Sequence, residues 1–403
     1  MRVKIVPSVA RGTVTAPPSK SVAHRALICG ALSDGSTISN VAYSQDIEAT
    51  LGCLEAMGAT VDRREDSVRI GGLNPFAIKP YTVLNCGESG STLRFLLPLC
   101  LLSDVPILLT GSQRLLERPL SVYEEICREQ NLTFLRTEHA ITVCGPLSAG
   151  NYRVRGDVSS QFITGLLFAL SLLDGESSLK VSEPFESKSY VRISQTVQSA
   201  FGVDVSVAKN TYFAGSRGRY RERDYIVEGD CSNAAFLDAF NLLSGDVKVS
   251  GLSPETAQGD GVYRHFYQRF GAEKPQFDLS DCPDLGPVMF VLAAAFGGAK
   301  FVGTARLRIK ESDRVAAMVQ ELAKFGVSAT VEENAVEIHD CVLRTPTEVL
   351  SGHNDHRIVM ALSILCSKVG GIIDGAQAVA KSYPNFFDVI HSLGIEVILD
   401  DIS

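Results

Sequence analysis

Small hydroxyl and cationic side chains recur where predicted strands give way to apolar helices. In chain order, these turns hold Lys20, Ser21 and Arg25; Gly90, Ser91 and Arg94; Ser159, Ser160 and Gln161; and His356 and Arg357. Unpaired backbone N–H groups and the helix dipole favour anions at a helix N-terminus, and cations and hydroxyls complement phosphate and carboxylate oxygens. A single serine there is more commonly an N-cap, but the recurrence predicts a polyanion site.

A second set of polar side chains lies in loops that precede other predicted helices. These loops contain Arg114 and Arg118; Ser187, Lys188, Tyr190 and Arg192; Arg306, Arg308, Lys310 and Arg314; and Lys381. Glu311 lies among the cations of RLRIKESDRV. A run of cations alone is usually a solvated surface, so the carboxylate among them makes this segment informative. From spacing alone, a structural counter-ion and a catalytic carboxylate are equally supported roles for Glu311.

An internal repeat must position these turns. A helix that closes on an apolar residue and usually Gly, followed by an alternating strand, recurs six times, as in CLEAMGATVD, LAKFGVSATV and IHSLGIEVIL. Each repeat opens with a short strand, a polar turn and an apolar helix, and a second strand lies between its two helices. The pattern predicts an α/β chain of six βαβαββ units, in which the polar turns occupy equivalent places.

The stretch GSRGRYRERDY, residues 215–225, separates the third and fourth units and is the most charged segment of the chain. By itself this segment fits a solvated hairpin end as well as a connection between domains. The repeat count favours the connection, with three units on either side.

The composition is that of a globular protein with sizeable cores, since 45% of the 403 residues are hydrophobic. The net charge of -8, with no basic tail, argues against nucleic acid and acidic membrane surfaces as partners. The N-terminal segment lacks a signal-peptide core, and no apolar run reaches the roughly 18 residues of a membrane span. We expect a cytoplasmic protein.

Several other chemistries find little support. The ten cysteines include no C-x-x-C pair and lie mostly in apolar segments, which predicts buried free thiols. GESGST lacks the lysine of a P-loop, and His353 and His356 lack zinc-ligand spacing. No G-x-S-x-G motif or Cys–His pair indicates a covalent nucleophile. We therefore predict neither a metal nor a cofactor.

Seven motifs occur in one order: PPSKSVAHRAL, GESGSTLRFL, RLLERPL, VSSQFITGLL, KESDRV, NDHRIVMAL and KSYPNFF. Together they extend from Thr15 almost to the end of the chain and resemble the 5-enolpyruvylshikimate-3-phosphate synthases, a family of enolpyruvyl transferases. The resemblance implies transfer of the enolpyruvyl group of phosphoenolpyruvate to the 5-hydroxyl of shikimate 3-phosphate, with release of phosphate, on the route to chorismate. We expect a monomer whose partners are these two small molecules.

The resemblance also implies a two-domain inside-out α/β barrel, with three units per domain around a pseudo-threefold axis. In such proteins the first strand belongs to the C-terminal domain, so the chain should cross near Gly12 and again near the charged segment. We predict one domain of residues 1–13 and 226–403 and another of residues 14–225, with the active site in the cleft between them.

Site residues follow from matching each motif position to the family. The implied shikimate 3-phosphate contacts are Ser21, Arg25, Ser159, Ser160, Gln161, Ser187, Asp284 and Lys310. The implied phosphoenolpyruvate contacts are Lys20, Gly90, Arg118, Gln161, Arg314, Arg357 and Lys381. Because the reaction needs an acid and a base, the resemblance implies that Asp284 serves the 5-hydroxyl and Glu311 the methylene carbon, with Lys20 assisting as proton donor. His24 is left out of the site.

Two positions depart from the family pattern. Glu88 and Arg306 each stand where many members carry Asn, and Glu88 should either point away from the phosphoenolpyruvate pocket or pair with an arginine. A transferase acting on UDP-N-acetylglucosamine is an alternative, disfavoured by Ser21 after Lys20 and by the absence of Cys from GSQRLLERPL. A non-catalytic sensor of phosphorylated metabolites is another, disfavoured by the presence of both Asp284 and Glu311.

Overall fold

The computed structural model describes residues 1–400. Its strands are β1 (Arg2–Val6), β2 (Arg11–Thr15), β3 (Ser36–Ser39), β4 (Thr60–Arg63), β5 (Ser67–Gly71), β6 (Val83–Asn85), β7 (Ile107–Thr110), β8 (Thr133–Arg136), β9 (Ile141–Cys144), β10 (Asn151–Arg155), β11 (Ser177–Ser182), β12 (Val205–Ala208), β13 (Thr211–Ala214), β14 (Tyr225–Ile226), β15 (Asp246–Ser250), β16 (Gln276–Asp278), β17 (Gly298–Val302), β18 (Ala329–Val331), β19 (Ala335–His339), β20 (Leu350–Ser351), β21 (Gly371–Asp374) and β22 (Glu396–Asp400).

The α-helices alternate with these strands. They are α1 (Lys20–Ala31), α2 (Gln45–Met57), α3 (Gly90–Cys100), α4 (Gln113–Glu117), α5 (Ser121–Glu129), α6 (Ser160–Leu170), α7 (Lys188–Ala200), α8 (Cys231–Leu242), α9 (Tyr263–Tyr267), α10 (Gly286–Ala295), α11 (Arg314–Lys324), α12 (His356–Val369) and α13 (Phe386–Ser392). Short 3-10 helices span Pro75–Ala77, Gly259–Val262, Pro283–Leu285, Ala305–Ile309 and Ala376–Lys381. Among residues 1–400, each helix is too short or too polar to cross a bilayer.

The chain divides into two compact units. The central unit is Pro18–Glu228, and the terminal unit combines Met1–Pro17 with Gly229–Ser403. In the central unit the N–H of Ser19 donates to the carbonyl of Glu228, and in the terminal unit the N–H of Asp230 donates to the carbonyl of Pro17, each at 2.8 Å. The crossing predicted near Gly12 falls inside β2, which pairs with β15, so the chain leaves the terminal unit only after Pro17.

Three four-stranded sheets build the central unit, in the orders β14-β3-β5-β4, β6-β7-β9-β8 and β10-β11-β13-β12. In each sheet the first two strands are parallel and the other pairings are antiparallel. A parallel pair requires a crossover, which α3 and α6 supply in the second and third units. The last two strands of each sheet form the hairpin that the repeat predicts.

The terminal unit contains the four-stranded sheets β16-β17-β19-β18 and β20-β21-β1-β22 and the two-stranded sheet β15-β2. In the last sheet β1 lies between β21 and β22 and is antiparallel to both, in the position that a hairpin strand occupies in the other four-stranded sheets. The opening strands of the first and fourth units are exchanged, because β2 precedes α1 but pairs with β15, whereas β14 precedes α8 but pairs with β3.

The fourth unit lacks the predicted hairpin after its second helix. Only Ala272–Pro275 separate Gly271 from β16, and this short segment holds a proline and Lys274 at a φ of 47°. A hairpin needs two strands joined by a turn, which four residues cannot provide. The fourth unit therefore has two paired strands where the other five have four.

The helices that begin at the polar turns form the interior. In the terminal unit α8, α10 and α12 contact one another, and in the central unit α3 packs on α6. Nearly every residue of these helices is buried, as expected for helices that are apolar on all sides. The hairpin strands β4, β8 and β18 are largely exposed. Helices lie inside and sheets outside, as the inside-out fold class predicts.

Candidate active site

Lys20 is the first residue of α1, at the polar turn of the first unit. Its ammonium forms an ion pair with Asp46, with Nζ 2.7 Å from Oδ2. Asp46 lies in the first turn of α2, where a carboxylate also complements the helix dipole. Both side chains are mostly buried, so the pair fixes the position of the lysine charge.

Arg25 lies one turn further along α1 and is held by acceptors from three helices. Its Nε donates to Ser194 Oγ at 2.7 Å, and its two terminal nitrogens donate to the carbonyls of Ser21 at 2.6 Å and Tyr190 at 3.0 Å. Thr164 Oγ1 on α6 lies 3.4 Å from Nη2. Burial lowers the pKa of Arg25 to about 9, which still leaves the group charged at neutral pH.

A chain of hydrogen bonds joins the N-terminal ends of α3 and α6. Arg94 Nη1 donates to Gln161 Oε1 at 2.7 Å, and Gln161 Nε2 donates to Ser91 Oγ at 2.9 Å. Ser159 caps α6 through its hydroxyl, which accepts from the N–H of Gln161. The turns of the second and third units are thus in direct contact, as expected if both face one ligand.

Gly90 starts α3 and has two guanidinium groups against its backbone. A Cβ at this position would lie 2.7 Å from Nη1 of Arg118 and 3.3 Å from Nη1 of Arg94. Arg118 follows α4 and is 8% exposed. The absence of a side chain at Gly90 therefore allows Arg118 its place beside the helix N-terminus.

The remaining predicted residues of the central unit lie close to this network. Ser160 is the buried first residue of α6, and Ser187 is the buried residue before α7, with a left-handed φ of 53°. Ser187 directly precedes the helix whose Tyr190 and Ser194 accept from Arg25. Glu88 is exposed on the turn before Gly90.

In the terminal unit, Arg314 joins three carboxylates. Its Nε lies 2.9 Å from Asp355 Oδ2, its Nη1 lies 2.8 Å from Asp284 Oδ1, and its Nη2 lies 2.9 Å from Glu311 Oε2. The Arg314 side chain is 1% exposed. Burial lowers its pKa, but the carboxylates, with Asp355 the strongest, outweigh this effect and raise the pKa. Arg314 thus holds both predicted catalytic carboxylates in place.

Asp284 is surrounded by cations. Its Oδ1 accepts from Lys310 Nζ at 3.1 Å, and its Oδ2 lies 3.7 Å from Nη2 of Arg357. Burial raises the pKa of Asp284, but Lys310, Arg314 and Arg357 together outweigh burial and hold it well below its usual value. The carboxyl group is therefore ionised at neutral pH.

The pKa of Lys310, one of the cations around Asp284, is lowered. Burial is the main cause that lowers the pKa of Lys310, Asp284 raises it, and the neighbouring Arg314 and Arg306 lower it further. Arg306, which departs from the family pattern, is buried and adds positive charge beside Lys310.

Arg357 and Lys381 complete the predicted cations of the terminal unit. Arg357 Nη1 donates to Asn233 Oδ1 at 2.9 Å, and its guanidinium lies 5.5 Å from the centre of the Phe236 ring. Lys381 is 4% exposed, and its Nζ donates to the carbonyl of Asn354 at 2.6 Å.

Sequence reasoning missed the partners that orient these cations. They are Asp46, Asn233 and Asp355, each buried and each in contact with a predicted site residue. Two of them carried a local signal, because Asp355 is a favoured N-cap type directly before α12 and Asp46 is an acidic residue in the first turn of α2. Within residues 1–400, no group of three or more His, Cys, Asp or Glu side chains is arranged to hold a metal ion.

Solved structures share this fold. EPSP synthase from Acinetobacter baumannii has a TM-score of 0.80, with 22% identity over 99% of this chain and 100% of that chain. The enolpyruvyl transferase NikO from Streptomyces tendae has a TM-score of 0.78, with 14% identity over 98% of both chains. The chain therefore has the fold of the enolpyruvyl transferases.

Sequence comparison identifies the family. The family described as EPSP synthase (3-phosphoshikimate 1-carboxyvinyltransferase) matches residues 6–390. The 3-phosphoshikimate 1-carboxyvinyltransferase of Clostridium kluyveri is 41% identical over 98% of both chains, and that of Clostridium beijerinckii is 37% identical over 97% of both. The chain belongs to the EPSP synthase family, which confirms the resemblance seen in its motifs.

Proposed function

We propose that the side chains described above carry out the family's reaction in this enzyme. The enzyme transfers the enolpyruvyl group of phosphoenolpyruvate to shikimate 3-phosphate, in the shikimate pathway to the aromatic amino acids. The single observation that best supports the residue assignment is the ionised Asp284 beside Lys310, Arg314 and Arg357. A base and several anion-binding cations are what this chemistry needs in one place.

Shikimate 3-phosphate is assigned mainly to the central unit. Its proposed contacts are Ser21, Arg25, Ser159, Ser160, Gln161 and Ser187, together with Asp284 and Lys310 of the terminal unit. A buried guanidinium and several hydroxyls suit a phosphate and a polyhydroxylated ring. The buried position of Arg25 supports this role, because its charge is already desolvated before the ligand arrives.

Phosphoenolpyruvate is assigned to residues of both units, most of which are cations. Its proposed contacts are Lys20, Gly90, Arg118 and Gln161 in the central unit and Arg314, Arg357 and Lys381 in the terminal unit. Because each substrate draws residues from both units, we propose the two units as the functional domains. The location of the active site in a cleft between them stays a prediction from the family resemblance.

The proposed chemistry begins with addition. Asp284 accepts the proton of the 5-hydroxyl as this oxygen bonds to C2 of phosphoenolpyruvate, and Glu311 delivers a proton to the methylene carbon C3. In the elimination that follows, C3 returns a proton to Glu311, the double bond re-forms, and the C2–O bond to phosphate breaks. Lys20 stabilises the departing phosphate and donates a proton to it.

Phosphate release tests this function directly. Purified protein should release phosphate when phosphoenolpyruvate and shikimate 3-phosphate are present together, and from neither alone. Turnover with UDP-N-acetylglucosamine in place of shikimate 3-phosphate would favour the related transferase. Tight binding of both ligands with no turnover would favour the non-catalytic sensor.

We also propose that the enzyme is a cytoplasmic monomer; its ten free cysteines support a reducing compartment, and the monomer is an expectation stated with the family resemblance. Light scattering after size exclusion should then give a mass near 43.4 kDa. A mass of twice that value would contradict the monomer.

A further inference from the structure

The turn between β20 and α12 has a strained backbone. His353 and Asn354 are adjacent non-glycine residues with φ of 48° and 51°. Two adjacent non-glycine residues in this left-handed conformation are unusual, and such backbone persists where surrounding contacts impose it. The contacts that impose it here come from a helix on the other side of the turn.

Glu321, near the end of α11, supplies these contacts. Its carboxylate is fully buried and accepts from His353 Nε2 at 2.8 Å, from the N–H of Ser351 at 2.9 Å and from Lys324 Nζ at 2.8 Å. Burial is the main influence that raises the pKa of Glu321, but the hydrogen bonds from His353, Lys324 and Ser351 outweigh it and lower the pKa. The carboxylate is therefore ionised, and His353 must carry its proton on Nε2.

The same turn holds three of the proposed phosphoenolpyruvate ligands. The carbonyl of Asn354 accepts from Lys381 Nζ at 2.6 Å. The carboxylate of Asp355 accepts from Arg314 Nε at 2.9 Å and caps α12 by accepting from the N–H of Arg357 at 2.9 Å. Two adjacent residues thus set the positions of three cations on three separate elements.

We propose that Glu321, acting through His353, is a positioning residue for Lys381, Arg314 and Arg357. Glu321 lies seven residues after Arg314 on α11, so this helix both carries one cation and braces the turn that places the other two. The inference rests on the proposed function, since it assumes that these cations bind phosphoenolpyruvate. Glu321 itself contacts none of the proposed reacting groups and acts only through the turn.

Two variants test the link from both ends. Glu321→Gln keeps the shape but removes the charge, and His353→Gly removes the imidazole while relieving the strain of the left-handed φ. Both should raise the KM for phosphoenolpyruvate about tenfold, because a shifted turn would misplace Lys381, Arg314 and Arg357 relative to the substrate. The KM for shikimate 3-phosphate should stay within about twofold of wild type, since most of its proposed contacts lie in the central unit.

Two further variants make the outcome decisive. Glu337→Gln is the matched control, since it makes the same change on the exposed face of β19 in the same unit and should leave both KM values unchanged. Lys381→Met is the positive reference, and unchanged phosphoenolpyruvate KM in it would contradict the proposed site. If Lys381→Met raises that KM and either Glu321→Gln or His353→Gly does not, the positioning role is wrong. A lower melting temperature with both KM values unchanged would show a merely structural role and would also overturn the inference.

Discussion

Replacing Gly90 by alanine should weaken phosphoenolpyruvate binding selectively. The new Cβ would lie 2.7 Å from Nη1 and 3.1 Å from Cζ of Arg118, well inside the 3.4 Å at which ordinary contact begins. Gly90 has helical backbone, so alanine fits its conformation; Arg118 must give way, and Arg94 by about 0.1 Å. The end of a flexible side chain moves easily, so we expect Arg118 to shift by about 0.7 Å with little cost to folding.

The size of the effect follows from this displacement. Misplacing a binding group by about 1 Å can cost about 100-fold, and a weakened charge-assisted bond costs about 1.5–3 kcal/mol. We therefore expect the KM for phosphoenolpyruvate to rise about 10- to 100-fold, equivalent to about 1.4–2.7 kcal/mol. The KM for shikimate 3-phosphate should change little, because Arg118 is not among its proposed contacts.

Steady-state phosphate release, with each substrate varied at saturating concentration of the other, measures both constants. Gly52→Ala is the matched control: Gly52 lies in α2, and a Cβ there would meet nothing within 4 Å. Because alanine favours a helix over glycine by about 1 kcal/mol, this control should raise the melting temperature and leave both KM values unchanged. The reasoning fails if Gly90→Ala and Gly52→Ala show the same KM for phosphoenolpyruvate, or if Gly90→Ala raises both KM values equally.

Four other outcomes are expected. Arg25→Lys should reduce the affinity for shikimate 3-phosphate at least tenfold, or by about 1.4 kcal/mol, as measured by calorimetry. Lysine cannot reproduce the planar guanidinium that donates to Ser194, Tyr190 and Ser21. Unchanged affinity would remove Arg25 from the site. Asp284→Asn should lower kcat at least about 100-fold while both substrates still bind. Because its folded-state pKa lies below the ordinary value of 3.8, Asp284 stabilises the wild type above that pH and loses this contribution as the pH falls through the lowered pKa. Wild type should therefore lose more unfolding free energy on acidification below pH 4 than Asp284→Asn, and parallel losses in chemical denaturation would contradict this. Finally, a thiol reagent at neutral pH should label the half-exposed Cys144 and Cys341 faster than the other eight cysteines, which are buried, and rapid labelling of Cys127, whose pKa burial raises to about 11, would contradict the packing.

Periodicity predicted the repeated units because each unit must bury an apolar helix beneath a small sheet. Periodicity could not predict which strands pair. The strands β2 and β14 have the same sequence pattern, a short strand followed by a polar turn, and so cannot be told apart by it. Their exchange depends on where the chain crosses between the units, and no local pattern records that. The missing hairpin of the fourth unit was in principle readable, because Pro275 and the four-residue spacing leave no room for it.

The cations of the candidate site were predictable from their places at helix N-termini and in the loops before helices, but their pairing with Asp46, Asn233 and Asp355 was not. Asp46 lies 26 residues from Lys20, and Asp355 lies 41 residues from Arg314. Sequence spacing reveals partners within one helix turn, such as Glu311 and Arg314, but not across separate elements. Glu321 looked like an ordinary polar residue of an amphipathic helix, and only the folded chain places it under the turn that holds Lys381.

The hydrogen bonds at the two crossings make residues 18–228 an insertion in the topological sense. Pro17 and Asp230 are already joined by a backbone hydrogen bond in the terminal unit, as Ser19 and Glu228 are in the central unit. Excising the central segment would therefore leave two ends that a very short linker can close. The central unit is thus inserted into the terminal unit at a single point of the chain. A loop of either unit can change in length without changing the chain path of the other unit.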